Sequence, residues 1–168
     1  MVLHERGPAG PGRLRMEEIA DPVPGPGEIR IRVTVCAVCR TDLHVIEGDL
    51  PEEKIPVIPG HQVVGVVDAL GEGAGSFTIG DRAGIAWLRS TCGTCTFCRS
   101  GRENLCAAAR FTGYHENGGY AGSAVVPAAF AYRIPPAFAD ADAAPLLCAG
   151  IIGYRALRRS DVPAGGRL

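Results

Sequence analysis

The sequence carries no excess of charge and no long apolar run, and these two absences exclude classes of partner. Its 17 basic and 18 acidic side chains give a formal net charge of -1, so bulk electrostatics favours neither nucleic acid nor an anionic membrane surface. No uninterrupted apolar run reaches membrane-spanning length, and the first ten residues lack a basic segment followed by an apolar stretch. We therefore expect a cytoplasmic protein without a nucleic-acid or membrane partner.

Glycine and proline are abundant, which indicates a chain of short strands. Among 168 residues, 23 are glycine and 13 are proline, a composition typical of frequent turns rather than long helices. The segment 28–35 alternates strictly, with Ile29, Ile31, Val33 and Val35 on one face, as in a half-buried strand. Further β-rich runs are Val63–Leu70, Arg82–Leu88, Tyr120–Val126 and Phe130–Ile134. The residues predict a mainly β protein, a small barrel or sandwich, with short helices.

The helices are predicted to be short. Asp42 is suited to be the N-cap of the first helix, which closes before Gly48. The other helical segments are 99–105, a helix capped by the acidic residues of 140–142, and Ile151–Arg159. The segment 163–168 predicts a turn that leads into a further element.

Four cysteines are crowded into one short polar segment. They follow one another at spacings of two, two and seven intervening residues, and pairs separated by two residues let two thiolates reach one ion from a tight turn. An iron–sulfur cluster is the rival interpretation, but its typical run has the fourth cysteine after three residues, followed by proline. A structural zinc ion is therefore predicted, with the ligands Cys92, Cys95, Cys98 and Cys106.

A second set of metal-ligating residue types is scattered along the chain. Cys39 follows the first clear strand, His61 precedes the second, and Cys148 lies in an apolar helical stretch. Taken singly, each has an ordinary explanation as a packed or hydrogen-bonded core residue. Cys36 forms a two-residue spacing with Cys39 but is predicted to be a strand residue.

Several motifs in register resemble the zinc-containing medium-chain alcohol dehydrogenases. They are PGPGEIRIRV, CRTDLH, PGHQVVGVV, the GDR at 80–82, the cysteine lobe, NGGYA and LLCAGIIGYRALR. The resemblance covers nearly the whole chain as the N-terminal, GroES-like β-barrel catalytic domain, and its texture is most similar to bacterial propanol-preferring members. It implies residues 1–150 as that domain, with the zinc lobe at 90–108, and residues 151–168 as a linking helix and the start of an absent nucleotide-binding domain.

The resemblance also implies roles for individual residues. Cys39, His61 and Cys148 would bind a catalytic zinc ion whose fourth position is left to water or substrate. Thr41 and His44 match the proton relay of the family.

Four more residues match positions near that zinc ion. Asp42 matches the carboxylate that orients the zinc-bound histidine, and Arg40 lies where some members contact the cofactor pyrophosphate, although a solvated surface charge is an equal alternative. Trp87 matches a position lining the alcohol pocket, with core packing as its alternative. Gln62 stands where the family usually has glutamate, which predicts a more electropositive metal.

The implied function is oxidation of a short primary or secondary alcohol with NAD or NADP in the complete enzyme. The glycine-rich segment 71–76 is predicted to be a loop rather than a dinucleotide-binding turn, because no helix pattern follows it. We therefore expect the isolated chain to bind two zinc ions with little or no turnover. The alternative is a non-catalytic zinc-binding remnant of the same fold, with one zinc ion; a homo-oligomer is left open.

Overall fold

The fold is built on a curled antiparallel sheet, which confirms the mainly β prediction. A computed structural model describes residues 1–51, 54–163 and 165–167. The strands are β1 (Val2–Leu3), β2 (Leu14–Arg15), β3 (Glu28–Ala37), β4 (Gln62–Leu70), β5 (Arg82–Ile85), β6 (Leu88–Ser90), β7 (Arg110–Phe111), β8 (Ser123–Pro127) and β9 (Ala131–Arg133). The main sheet has the order β8-β3-β4-β5-β9, and β1-β2 and β6-β7 form two small ladders.

The long strand β3 does not keep the strict alternation that its sequence predicts. Val33 pairs with Gly65 and Val35 pairs with Val64, so Thr34 is an extra residue opposite the partner strand. This is a β-bulge, which bends the strand and redirects side chains. Val33 consequently packs with the core cluster on one side of the sheet, whereas Val35 packs with a different cluster. The prediction that Ile29 to Val35 share one face is wrong beyond the bulge.

All five predicted strands have different bounds in the structure: the first two are one or two residues longer, and the other three are interrupted or displaced where the chain changes its hydrogen-bond partner. The run 82–88 breaks after Ile85, since Leu88 pairs with Phe111 in the separate β6-β7 ladder. The run 120–126 becomes a strand only at Ser123, because the amides of residues 118–120 donate to the carbonyls of residues 58–60. Phe130 belongs to a 3-10 turn, so β9 begins one residue later.

The helices are short, as predicted, but their caps differ. They are α1 (Arg40–Glu47), α2 (Thr96–Arg99), α3 (Asp140–Pro145) and α4 (Ile151–Arg159), with a π-helical segment at Leu146–Gly150. The N-cap of α1 is Cys39, so Asp42 is not the cap but the third helical residue. The C-cap of α1 is Gly48 in the left-handed conformation, as expected for a helix that closes there.

The remaining helical predictions are partly corrected. A continuous helix over 99–105 is wrong: α2 ends at Arg99, Gly101 adopts a φ of 68°, and a 3-10 turn follows at Glu103–Leu105. The cap of α3 is Ala139 rather than an acidic residue. Ile151–Arg159 is helical as predicted, while the predicted turn at 163–168 includes residues 164 and 168, which lie outside the described residues. The boundary at residue 150 falls within the continuous helical run and stays a prediction.

Buried apolar side chains form separate clusters around the main sheet. One side is filled from β3, β4, β5 and β8, while the other is covered by α3. A third cluster lies between α1 and the N-terminal segment. The cluster covered by α3 consists of Val64, Ala86, Ala143, Ala144 and Leu147. Within the described part of the chain, none of the helices has the length and apolarity to cross a bilayer.

Candidate metal centres

The four cysteines of the lobe converge on one point. Three contacts join their sulfurs: Cys95 to Cys98 at 3.4 Å, Cys92 to Cys106 at 3.6 Å, and Cys92 to Cys98 at 3.9 Å. A tetrahedral zinc ion with zinc–sulfur bonds of about 2.3 Å separates its sulfurs by about 3.8 Å. The observed spacing fits one ion with four thiolate ligands.

Local backbone geometry favours a thiolate at Cys92 in this lobe, whereas the neighbouring Cys98 and Cys92 thiols help to raise the pKa of Cys95 to about 11. The amide of Cys95 donates to the sulfur of Cys92 at 3.3 Å, and the amide of Cys98 donates to the sulfur of Cys95 at 3.5 Å. Backbone hydrogen bonds from Thr94 and Cys95 lower the pKa of Cys92 to about 6. Cys92 is thus readily deprotonated, as a metal ligand must be.

Cys39, His61 and Cys148 are brought together from three different elements. Cys39 caps α1, His61 precedes β4, and Cys148 lies in the π-helical segment. The sulfurs of Cys39 and Cys148 are 3.7 Å apart, and the candidate ligand atoms of all three residues lie within 4.8 Å of one another. Cys36 does not belong to this group of candidate ligands and lies in β3, as expected.

The orientation of His61 supports a metal ligand rather than a satisfied core histidine. Its ring is fully buried, and Nδ1 is 2.9 Å from Oδ1 of Asp42. Its other nitrogen, Nε2, is also buried and has no hydrogen-bond partner among the described residues. A neutral imidazole that donates Nδ1–H to a carboxylate presents the Nε2 lone pair. A zinc ion therefore fits both the unpartnered nitrogen and the spacing of the two sulfurs.

Asp42 links the start of α1 to this histidine. Its second oxygen, Oδ2, accepts a hydrogen bond from the amide of Cys39 at 2.8 Å, which satisfies an amide at the helix start. Asp42 is only 2% exposed, so its charge acts on His61 with little screening. Asp42 thus contacts both Cys39 and His61, and its role in orienting a metal-bound histidine stays a prediction.

The surroundings shift the pKa values of the three candidate ligands. Burial raises the pKa of the Cys148 thiol to about 11, assisted by the neighbouring Cys39. Burial also opposes ionisation of Cys39, but hydrogen bonds from Thr41 and Cys148 outweigh it and lower its pKa. Burial lowers the pKa of His61, whereas its hydrogen bond and ion pair with Asp42 raise it more. A negative charge on Cys39 is therefore stabilised, and Cys148 must lose its proton when an ion binds.

Trp87 packs against the histidine of this site. Its ring lies edge-on to His61 with 5.0 Å between centroids, and it stacks on Phe111 at 4.9 Å and on Tyr114 at 6.0 Å. The hydroxyl of Tyr114 donates to the carbonyl of Pro51 at 2.6 Å. The three rings form an apolar wall beside the candidate metal ligands, and the role of Trp87 in an alcohol pocket stays a prediction. Sequence reasoning missed Phe111 and Tyr114, because only the β6-β7 ladder brings them to Trp87.

The residues of the predicted proton relay lie on α1. Thr41 Oγ1 is 3.8 Å from the sulfur of Cys39. His44 Nδ1 is 2.7 Å from Oδ2 of Asp49, a partner that no sequence motif indicated. Arg40 begins the helix and is exposed. Thr41 is thus beside the ligand set, His44 is paired with an acid, and Arg40 is accessible to solvent.

Two buried polar atoms near the site lack a hydrogen-bond partner among the described residues. One is Oε1 of Gln62, which is 3% exposed and follows His61 directly; the other is the hydroxyl of Tyr120. Tyr120 was not predicted as a site residue, yet it packs against Gly60. Gly60 has a φ of 95°, and a Cβ added there would collide with the ring of Tyr120. The predicted effect of Gln62 on the metal stays a prediction.

Comparison with known proteins agrees with this geometry. Residues 25–136 match the family described as the alcohol dehydrogenase GroES-like domain. The chain is 53% identical over 167 residues to the probable alcohol dehydrogenase AdhA of Mycobacterium tuberculosis, covering 96% of this chain and 48% of that protein. It is 41% identical to an alcohol dehydrogenase of Geobacillus stearothermophilus, covering 90% of this chain and 45% of that protein. The chain spans about half the length of the curated relatives it matches.

Solved structures show the same fold. The cobalt- and zinc-bound thermostable alcohol dehydrogenase of Pyrobaculum aerophilum superposes with a TM-score of 0.86 at 30% identity, covering 96% of this chain and 48% of that one. The CAD of Helicobacter pylori complexed with NADP(H) gives a TM-score of 0.76 at 30% identity, covering 82% of this chain and 42% of that one. The chain belongs to the alcohol dehydrogenase GroES-like domain family.

Proposed function

We propose that this chain is the zinc-binding catalytic domain of an NAD(P)-dependent alcohol dehydrogenase. The observation that carries the proposal is the convergence of Cys39, His61 and Cys148 around a buried, unpartnered imidazole nitrogen. Among the described residues, three candidate ligands meet there, which leaves one position of a tetrahedral ion to a small molecule. The four-cysteine lobe offers four protein ligands and suits a purely structural zinc ion.

The residues around the three-ligand site have distinct tasks in this proposal. When bound there, zinc supplies a Lewis acid that lowers the pKa of an alcohol. Asp42 holds the Nδ1–H of His61, which would leave Nε2 to bind the ion. The hydroxyl of Thr41 lies beside Cys39 and would accept the proton of the substrate alcohol while giving up its own. His44, whose ring is partly exposed and paired with Asp49, passes that proton towards solvent.

Substrate and cofactor selection follow from the same surroundings. The ring of Trp87, backed by Phe111, is a flat apolar surface suited to the carbon chain of a short primary or secondary alcohol. Arg40 is exposed at the start of α1, where its guanidinium can bind a pyrophosphate of NAD or NADP. We retain residues 1–150 as the catalytic domain, residues 151–168 as the linking segment, and a cytoplasmic location as predictions.

The isolated chain of residues 1–168 is expected to bind zinc without appreciable oxidation of an alcohol. Hydride transfer requires the nicotinamide to be held over the substrate carbon. In the parts of the chain that the structure describes, no glycine-rich turn opens a helix to hold a dinucleotide, and residues 71–76 form the loop between β4 and β5.

Metal analysis of the purified chain tests the proposal. Two zinc ions per chain are expected, with Cys39→Ser losing one and Cys95→Ser losing the other. Cys36→Ser is the matched control, because this cysteine is no candidate ligand, and it should retain both. A chain that takes up only the lobe zinc would favour the non-catalytic remnant, and robust NAD-dependent alcohol oxidation by the 168-residue chain would contradict the expected lack of turnover.

A further inference from the structure

The third ligand of the candidate catalytic site comes from outside the barrel. Cys148 lies in a helical run formed by α3, the π-helical segment and α4, whereas Cys39 and His61 are next to β3 and β4. Its sulfur must nevertheless be placed accurately, since zinc–ligand distances hold to within about 0.2 Å. The contacts that attach this helical run to the sheet therefore determine the geometry of the site.

Apolar packing attaches only the first half of the run. Ala143, Ala144 and Leu147 are buried against Val64 and Ala86. No residue of α4 is buried. Hydrophobic contact is not directional, so this small patch restrains the distance of the helix from the sheet more strongly than its rotation or sliding.

A carboxylate at the start of α3 supplies directional contacts. Oδ2 of Asp140 accepts a hydrogen bond from the hydroxyl of Thr34 at 2.6 Å. Its other oxygen, Oδ1, accepts two hydrogen bonds from the guanidinium of Arg82, one from Nε at 3.1 Å and one from a terminal nitrogen. Arg82 further donates to the carbonyl of Phe138 at 2.8 Å. The hydrogen bond from Thr34, and then that from Arg82, lowers the pKa of Asp140. The contacts form a clamp between α3 and two strands, β3 and β5.

Two local irregularities coincide with this clamp. Thr34 is the extra residue of the β3 bulge, and a bulge re-aims a side chain that a regular strand would direct elsewhere. Cys148 is the middle residue of the π-helical segment, a feature that frequently marks functional sites. The bulge directs the hydroxyl of Thr34 towards Asp140. The π-helical segment, two turns later, sets the direction of Cys148.

The helical run joins Asp140 to Cys148, so a change in its angle at Asp140 moves the sulfur at the other end. Eight residues at a rise of 1.5 Å each span about 12 Å, so a tilt of about 10° would displace the sulfur by about 2 Å. Such a displacement is about ten times the tolerance of a zinc site. Loss of the clamp would thus disturb the ligand without unfolding the sheet.

We propose that Asp140, held by Thr34 and Arg82, is a positioning residue that fixes Cys148 in the three-ligand metal site. The inference rests on the proposed function, because it assumes that Cys39, His61 and Cys148 bind an ion. Asp140 itself touches none of these ligands in the contacts described above, and it acts through the helix.

Cobalt(II) titration of the full 168-residue chain tests this role. Sulfur-to-cobalt absorption distinguishes the four-thiolate lobe from the two-thiolate site, so the two affinities are measured separately in one sample. Asp140→Ala is expected to weaken the three-ligand site about tenfold or more, the range found when groups that support metal ligands are removed. The lobe affinity should stay unchanged.

Two further variants make the result specific. Asp142→Ala is the matched control, since it removes an exposed carboxylate from the same first turn of α3, and it should leave both affinities unchanged. Thr34→Val keeps the shape of the strand residue and removes its hydroxyl, so it should weaken the three-ligand site in the same direction as Asp140→Ala.

The outcomes separate this inference from the proposed function. If the native chain binds cobalt only in the lobe, the proposed function and this inference both fail. If the native chain fills both sites and Asp140→Ala does so with equal affinity, only the positioning role is overturned. Equal weakening of both sites by Asp140→Ala would indicate general destabilisation and would also overturn it.

Discussion

The carboxylate of Asp42 contacts both the start of α1 and His61. The sequence suggests these two roles separately but does not show how one side chain combines them. An acidic residue at the start of a helix pattern indicates an N-cap, and the family resemblance implies a partner for the zinc-bound histidine. The structure makes Cys39 the cap and places Asp42 at the third helical position, where one oxygen accepts from the Cys39 amide and the other faces His61. Two candidate metal ligands are therefore positioned through a single side chain.

Asp42→Asn should weaken zinc binding at the three-ligand site by about 10- to 100-fold, the usual cost of removing a group that orients a metal-bound histidine. An amide keeps the size of the side chain but loses the negative charge that holds Nδ1–H of His61. Competition with a zinc chelator measures the change. Asp49→Asn is the control, because Asp49 is exposed and pairs with His44 instead; an equal loss in both variants would contradict the orienting role.

The two metal sites differed in how far the residues alone could predict them. The four cysteines of the lobe are close in sequence, and their spacing restricts them to tight turns, so a zinc site followed directly from local geometry. His61 and Cys148 are far apart in the chain, and only the packing of α3 on the sheet brings them together. Family resemblance was needed for that site, and neither approach indicated Asp140.

At the scale of elements, the strand pattern was predictable and its interruptions were not. Hydrophobic alternation located β3, whereas runs of β-favouring residues bounded by turn residues located β4 and β5. Alternation carries no signal for the bulge at Thr34, whose register depends on the partner strand. The break between β5 and β6 likewise depends on pairing with β7, which lies beyond the cysteine lobe.

The pairing of β6 with β7 connects the cysteine lobe to the aromatic rings beside the three-ligand site. The lobe is the connection between β6 and β7, and the carbonyl of Trp87, just before β6, accepts from the amide of Thr112, just after β7. Trp87 also stacks on Phe111 across this ladder. Closure of the lobe by its metal should therefore keep the two aromatic rings together next to His61.

Cys95→Ser, which removes a lobe ligand, should shift the fluorescence of Trp87 to longer wavelength as the β6-β7 ladder loosens and the ring is hydrated. The sequence contains one tryptophan, so its emission reports on this ring alone. Ser100→Ala changes an exposed residue of the lobe that is no candidate ligand and should leave the spectrum unchanged. Unchanged emission in Cys95→Ser despite measured loss of the lobe metal would show that the ladder holds without it.

At the scale of the whole molecule, the apolar surface is distributed unevenly. Ala143 and Ala144 of α3 are buried, whereas α4 has no buried residue. The exposed apolar side chains of the terminal helical run are Leu146, Ile151, Ile152, Tyr154 and Leu157. So many exposed apolar side chains on one helical run favour association, because burying apolar surface away from water contributes about 25 cal/mol of favourable free energy per square ångström.

The purified chain should therefore associate with itself as its concentration rises, and Ile152→Lys should reduce this association. Ile152 is 63% exposed, so a lysine there is accommodated in solvent but opposes burial of the patch. Ile79→Lys introduces the same charge at an isolated apolar residue that is 68% exposed and should have no effect. Sedimentation velocity over a range of concentrations measures the outcome; a native chain that keeps the mass of one 17.6 kDa polypeptide throughout would show that the exposed face of α4 does not drive association.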